Sequence, residues 1–152
     1  MAFNLSQKSL DRLNGVDERL QRVVKRAIQL SKQDFMVLEG IRTRKQCMIN
    51  YGKGRTIAEC VAKGVPAQYA NPKAAKVTWL NDPFASKHVS GKAVDLVPYP
   101  VDWNDLKKFD AIAQAMLQAA KELGVTIRWG ADWDNDGKSR ERGESDSPHF
   151  EI

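Results

Sequence analysis

Histidine is scarce in this chain: there are two, His88 and His149. Cysteine is equally scarce, and the spacing of Cys47 and Cys60 fits neither a zinc finger nor a CxxC redox pair. Both thiols are therefore expected to be reduced and structural, with one disulfide formed after export as the alternative. No apolar run approaches the roughly 20 residues that span a bilayer, which argues against a membrane anchor. The opening "MAFNLSQKSL" has no apolar h-region, so no secretory signal is read there. Synthesis in the cytoplasm is expected, and any work outside it needs another release route. Aromatic residues are 8% of the chain, too few near the basic stretches to stack single-stranded nucleic acid. There is no internal repeat and no low-complexity tail.

What is present fits one domain with one core, 152 residues long. The net charge of +5 and pI of about 9.3 favour polyanionic surroundings, whether nucleic acid, anionic lipid or an acidic wall polymer. The basic residues are interleaved with acids, however, so solubility alone explains the charge equally well.

Periodicity predicts a short helix in "LSQKSLDRLNG", with Ser6 as N-cap, and a second in "VDERLQRVVKRAIQLS", capped by Asp17. In the second, Leu20, Val23, Val24, Ala27 and Ile28 form an apolar stripe. "FMVLE" reads as a strand, "RTRKQCMIN" as a helix, Tyr51 to Arg55 as a glycine-rich turn and "TIAECVAKG" as a short helix. Residues 51–85 are the least regular stretch, punctuated by Pro66, Pro72 and Pro83. Ala93 to Val97 is a predicted strand. A long helix follows in "NDLKKFDAIAQAMLQAAKELG", striped by Leu106, Phe109, Ile112, Ala113, Met116, Ala120 and Leu123 and closed by Gly124. "VTIRW" and "HFEI" are the last strands, separated by a polar loop. Without a regular βαβ rhythm, this order argues for an α+β fold: a small, mainly antiparallel sheet with packed helices.

The chemistry is concentrated in "SKHVSGKAVDL" and "SDSPHFEI". Gly91 permits a sharp turn between His88 and the strand carrying Asp95. Asp95 alternates with Val94 and Leu96, and a carboxylate among apolar residues is costly unless paired or metal-bound. With His149 it completes two imidazoles and a carboxylate, the three-ligand set of a catalytic zinc. Such a zinc lowers the pKa of its water to about 7. Hydrolysis also needs a base, for which Asp146 stands three residues before His149, and a cation for the developing oxyanion, for which Arg42 is the candidate. Each residue has a plainer reading: Asp95 a hydrogen-bonded carboxylate, His88 a loop residue, Asp146 a loop cap, Arg42 a surface charge.

The same segments resemble a known family. "SKHVSGKAVDL" is similar to the SxHxxGxAxD signature of the zinc peptidases that include D-Ala-D-Ala carboxypeptidases and phage L-alanyl-D-glutamate endopeptidases. "DSPHFEI" resembles their closing motif, "EGIRTRKQ" their arginine-bearing element, and "IRWGADW" the strand and turn before the closing motif. The resemblance runs nearly end to end and is nearest to small endolysins without a separate wall-binding domain. It implies one peptidase domain over 1–152 with the hedgehog and D-Ala-D-Ala-peptidase type of fold. It implies Zn2+ on His88, Asp95 and His149, Asp146 as general base and acid, and Arg42 as oxyanion stabiliser or binder of substrate carboxylate. Ser86 and Gln46 match positions near the substrate. The implied function is that of a monomeric phage endolysin, made in the host cytoplasm, that cuts the peptidoglycan stem peptide between L-Ala and D-Glu. A D,D-carboxypeptidase releasing terminal D-Ala is the alternative within the enzymes, and a non-catalytic basic module binding wall or nucleic acid the alternative outside them. Glu144 and Glu151 rival Asp146 as the base. The 51–85 stretch is longer than in compact relatives, and reads equally as a cleft rim or a tolerated insertion.

"DWDNDG" adds a second expectation. Asp132, Asp134 and Asp136 alternate ahead of Gly137, as in the opening of a calcium loop. The twelfth position is Gly143 where an EF-hand has glutamate, so Ca2+ binding needs Glu141 or Glu144 as substitute. A solvated acidic turn is the alternative.

Overall fold

The computed structural model describes residues 3–79, 82–132, 139–140 and 146–152. In chain order the elements are α1 (Gln7–Leu13), α2 (Glu18–Leu30), β1 (Phe35–Glu39), α3 (Arg44–Gly52), α4 (Ile57–Ala62), a 3-10 turn (Ala67–Tyr69), β2 (Ala93–Pro98), α5 (Leu106–Leu123), β3 (Arg128–Trp129) and β4 (His149–Glu151). Arg42–Val89 makes one compact unit, and the segments on either side of it make another.

In the larger unit the helices start where side-chain oxygens can cap them. Ser6 accepts the Ser9 amide and Asp17 accepts the Arg19 amide, each satisfying a first-turn N–H that has no partner inside its helix. The predicted stripe of α2 is core: Leu20, Val23, Val24 and Ala27 have no exposed surface. The α5 stripe is core only in its middle. Phe109, Ile112, Ala113, Met116 and Ala120 are buried, but Leu106 and Leu123 are exposed by 45% and 43%. At 18 residues α5 is about 27 Å long, against about 20 Å for the 13 residues of α2 that it packs on, so its ends overhang.

The four strands form one antiparallel sheet in the order β1-β2-β4-β3, as the α+β reading expects. Val37, Val94, Leu96, Trp129 and Phe150 join the core made by α2 and α5. The strand expected over "VTIRW" shortens to Arg128–Trp129. Val125 returns its amide to the Ala120 carbonyl at the end of α5, so it is not free to join a ladder.

The smaller unit is built on α3 and α4. Thr43 caps α3, and a reciprocal Thr56–Glu59 capping box starts α4. Tyr51, Cys60 and Val65 form its core, with Met48, Tyr69 and Ala70 against them. Cys47 and Cys60 are buried thiols outside any disulfide, and burial pushes the Cys60 thiol pKa up. The turn expected at Tyr51 begins later, because α3 continues through Gly52, whose carbonyl accepts the Asn71 amide. Arg55 ties this unit together. Its guanidinium stacks 3.9 Å over the Tyr51 ring and donates to the carbonyls of Tyr51 and Thr78. Among the described residues no helix is long and apolar enough to cross a membrane.

Leu20→Ala is expected to cost about 2–5 kcal/mol, since it opens a cavity in the fully buried centre of α2. Urea unfolding should show a lower midpoint at unchanged slope.

Candidate metal centre

Alternation along β2 and β4 separates core from chemistry. Val94, Leu96 and Phe150 join the helix-packed core, so Asp95, His149 and Glu151 occupy the opposite face of the sheet. The register sets Asp95 directly across from His149, and Glu151 across from both Ala93 and Arg128. Asp95 Oδ1 lies 3.2 Å from His149 Nδ1, and Glu151 Oε1 lies 2.9 Å from His149 Nε2. Arg128 donates to the other Glu151 oxygen at 3.0 Å. Burial disfavours a charged His149, but hydrogen bonds to Asp95 and Glu151 outweigh it, and the net effect raises the imidazole pKa above 6.5.

His88 is presented by a turn. Its amide donates to Ser86 Oγ at 3.2 Å, the Val89 amide closes on the Ser86 carbonyl, and the Arg42 amide donates to the His88 carbonyl at 3.0 Å. Thus Ser86 and Arg42, both singled out in the sequence, adjoin His88 through the backbone. Gly91 follows with φ of 75°, and a Cβ there would stand 2.8 Å from the Gly15 carbonyl oxygen. His88, Asp95 and His149 each offer one ligand atom, and these atoms lie within 4.8 Å of one another. In a tetrahedral site with bonds of roughly 2.0–2.2 Å, ligand atoms stand about 3.3 Å apart, close to the separation of Asp95 Oδ1 and His149 Nδ1. Two imidazoles and a carboxylate thus fit a metal ion in number, type and spacing.

Asp146 is held beside this group by the edge of the sheet. Its amide donates to the Gly130 carbonyl, and the Gly130 amide donates to the His149 carbonyl. Trp129 Nε1 donates to the Ser147 carbonyl at 2.7 Å. Gly130 has to be glycine, because a Cβ would collide with the Asp146 carbonyl oxygen and stand 2.8 Å from Asp146 Cβ. Asp146 Oδ2 comes within 3.8 Å of His149 Nδ1, on the same side of the ring as Asp95. Glu151, its rival as base, engages the other ring nitrogen. Gln46 sits exposed in the first turn of α3, with its side-chain amide donating to Asn50. Asp132 pairs with Trp129 in an isolated bridge. Asp134, Asp136 and Glu144 lie outside the described residues. The Gly130 and Trp129 contacts escaped the sequence reading, since nothing local in "IRWGADW" shows which segment returns against it.

Two imidazoles and a carboxylate are a ligand set that metallohydrolases use, with a coordination position left for water. The comparisons narrow the class. The family model for the phage L-alanyl-D-glutamate peptidase matches residues 1–71 and 60–152, and the chain belongs to that family. The L-alanyl-D-glutamate peptidase of Escherichia phage T5 is 36% identical, with 100% of this chain and 99% of that protein covered. The crystal structure of the Serratia marcescens L-Ala D-Glu endopeptidase ChiX superposes with a TM-score of 0.63 at 27% identity, over 100% of this chain and 91% of that one.

Two outcomes are expected. Gly130→Ala should displace Asp146 while leaving His88, Asp95 and His149 in place; with Asp146 read as the general base, this lowers turnover by at least about tenfold with the metal retained, and metal analysis beside a lysis assay checks it. Because the His149 pKa is raised in the fold, its contribution to metal-free stability is complete below about 6.5 and is lost as pH rises through the folded value. Metal must displace that proton, so metal affinity should climb across the same window, as measured by chelator competition at several pH values.

Proposed function

We propose that the chain, as one peptidase domain over 1–152, is a zinc-dependent phage endolysin that hydrolyses the peptidoglycan stem peptide between L-Ala and D-Glu. The observation that carries this reading is the convergence of His88, Asp95 and His149 ligand atoms in a member of this peptidase family. Both named relatives are described as acting on the L-alanyl-D-glutamate linkage, and both matches cover the whole chain. Synthesis in the host cytoplasm and action on the wall after release, as a monomer, belong to the same proposal.

Zinc, when bound, acidifies water and polarises the scissile carbonyl. The chain's own residues do the rest. Asp146, half exposed at its side chain, takes the proton from the attacking water and returns it to the leaving amine. Arg42, tied through its amide to the His88 turn, meets the developing oxyanion or a substrate carboxylate. Ser86 supports the His88 turn, and Gln46 stands at the start of α3 for substrate contact. On sequence spacing, Asp132, Asp134 and Asp136 are proposed as a calcium loop leading into Asp146. Millimolar calcium that leaves the activity of zinc-loaded protein unchanged would remove that element.

His88→Ala and His149→Ala should each abolish zinc binding and lysis. Asp146→Asn should keep zinc and lose about 10²–10⁴-fold in turnover. Mass spectrometry of digested muropeptides decides the bond. Free stem peptide lacking L-Ala supports the proposal, whereas loss of a single terminal alanine indicates a D,D-carboxypeptidase.

A further inference from the structure

Glu151 has no role in the reaction just proposed, yet it is placed with care. It is only 6% exposed, lies two residues beyond His149 on the same face of β4, and uses both carboxylate oxygens. Oε1 stands 2.9 Å from His149 Nε2, and Oε2 accepts from Arg128 at 3.0 Å. The geometry points to Glu151 as a positioning residue that selects Nδ1 of His149 as the metal-ligating nitrogen, with Arg128 fixing the carboxylate in turn. This inference rests on the metal reading above.

A neutral imidazole has one N–H and one lone pair, and the partner of one nitrogen decides the role of the other. A carboxylate only accepts, so Glu151 holds the proton on Nε2. The Nδ1 lone pair then points to the side where Asp95 Oδ1 and Asp146 Oδ2 lie, at 3.2 and 3.8 Å. Asp95 is itself an acceptor beside Nδ1. Without Glu151 it would draw the proton to Nδ1, the nitrogen that has to bind metal. The ring would also lose the contact that sets its rotation. Cross-strand pairing explains the arrangement: Asp95 opposes His149 in one row, and Arg128 opposes Glu151 in the next row on the same face, so three strands place the four side chains side by side. Such outer partners of metal-binding histidines are typically worth about 10–100-fold in affinity.

The test uses the full chain and zinc alone. Glu151→Ala should weaken zinc binding by about 10–100-fold in chelator competition. Glu151→Gln, which keeps an acceptor for Nε2–H, should lose less. In zinc-loaded wild type, nitrogen-15 spectra should show His149 protonated at Nε2 with Nδ1 bound to metal. Circular dichroism checks that each variant is folded. Zinc bound as tightly by Glu151→Ala as by wild type, or a wild-type ring protonated at Nδ1, overturns the inference while leaving the peptidase reading intact. A wild-type chain that binds no zinc removes both.

Discussion

The pairing of Asp95 with His149 across β2 and β4 is the contact on which the site depends. Register alone creates it. Shifting either strand by one residue would send Val94 or Phe150 to the polar face and a carboxylate or imidazole into the core. The hydrophobic packing of α2 and α5 on Val94, Leu96 and Phe150 opposes that slip. The core therefore specifies the candidate metal centre by holding the other side of the same strands.

That coupling is strongest in β4, which has three residues. Phe150 has no exposed surface and stacks with Trp129 at 6.4 Å, while His149 and Glu151 on either side of it face the chemistry. So short a strand gains little from its own ladder. It is secured by the stacked rings beneath and by the ties that reach past its ends, Trp129 Nε1 to the Ser147 carbonyl and the Ile152 amide to the Lys92 carbonyl. A packing defect under Phe150 would thus disturb the candidate metal centre without touching His88, Asp95 or His149.

Much of this was legible in the sequence because it is written in local pattern. Ser6 and Asp17 cap helices as their types predict, the α2 stripe is buried, and β1 occupies "FMVLE". The candidate triad was legible for a different reason: "SKHVSGKAVDL" and "DSPHFEI" resemble family motifs, whereas spacing alone left His88 and His149 unconnected. What stayed hidden is long-range. Leu106 and Leu123 match the stripe's period, but burial depends on how far the partner helix extends. The alternation of β4 placed Glu151 beside His149, but only the β3 register shows that Arg128 claims its other oxygen. The need for glycine at position 130 likewise appears only when Asp146 returns against it.

The burial of the carboxylates divides their work. The side chains of Glu151 and Asp95 are 8% and 17% exposed, and that of His149 is 10% exposed, whereas that of Asp146 is 51% exposed. Where water is largely excluded, a charge-assisted hydrogen bond is strong and its geometry stiff, which suits groups that must hold a ligand nitrogen in one orientation. A group that exchanges protons with water and with a leaving amine has the opposite need: it must reach solvent and substrate. Asp146 meets both demands because its backbone is fixed through Gly130 while its carboxylate stays open. Glu151, sealed against Arg128 and His149 Nε2, meets only the first. Three carboxylate oxygens around one imidazole thus separate by burial, those of Asp95 and Glu151 enclosed and that of Asp146 open to solvent.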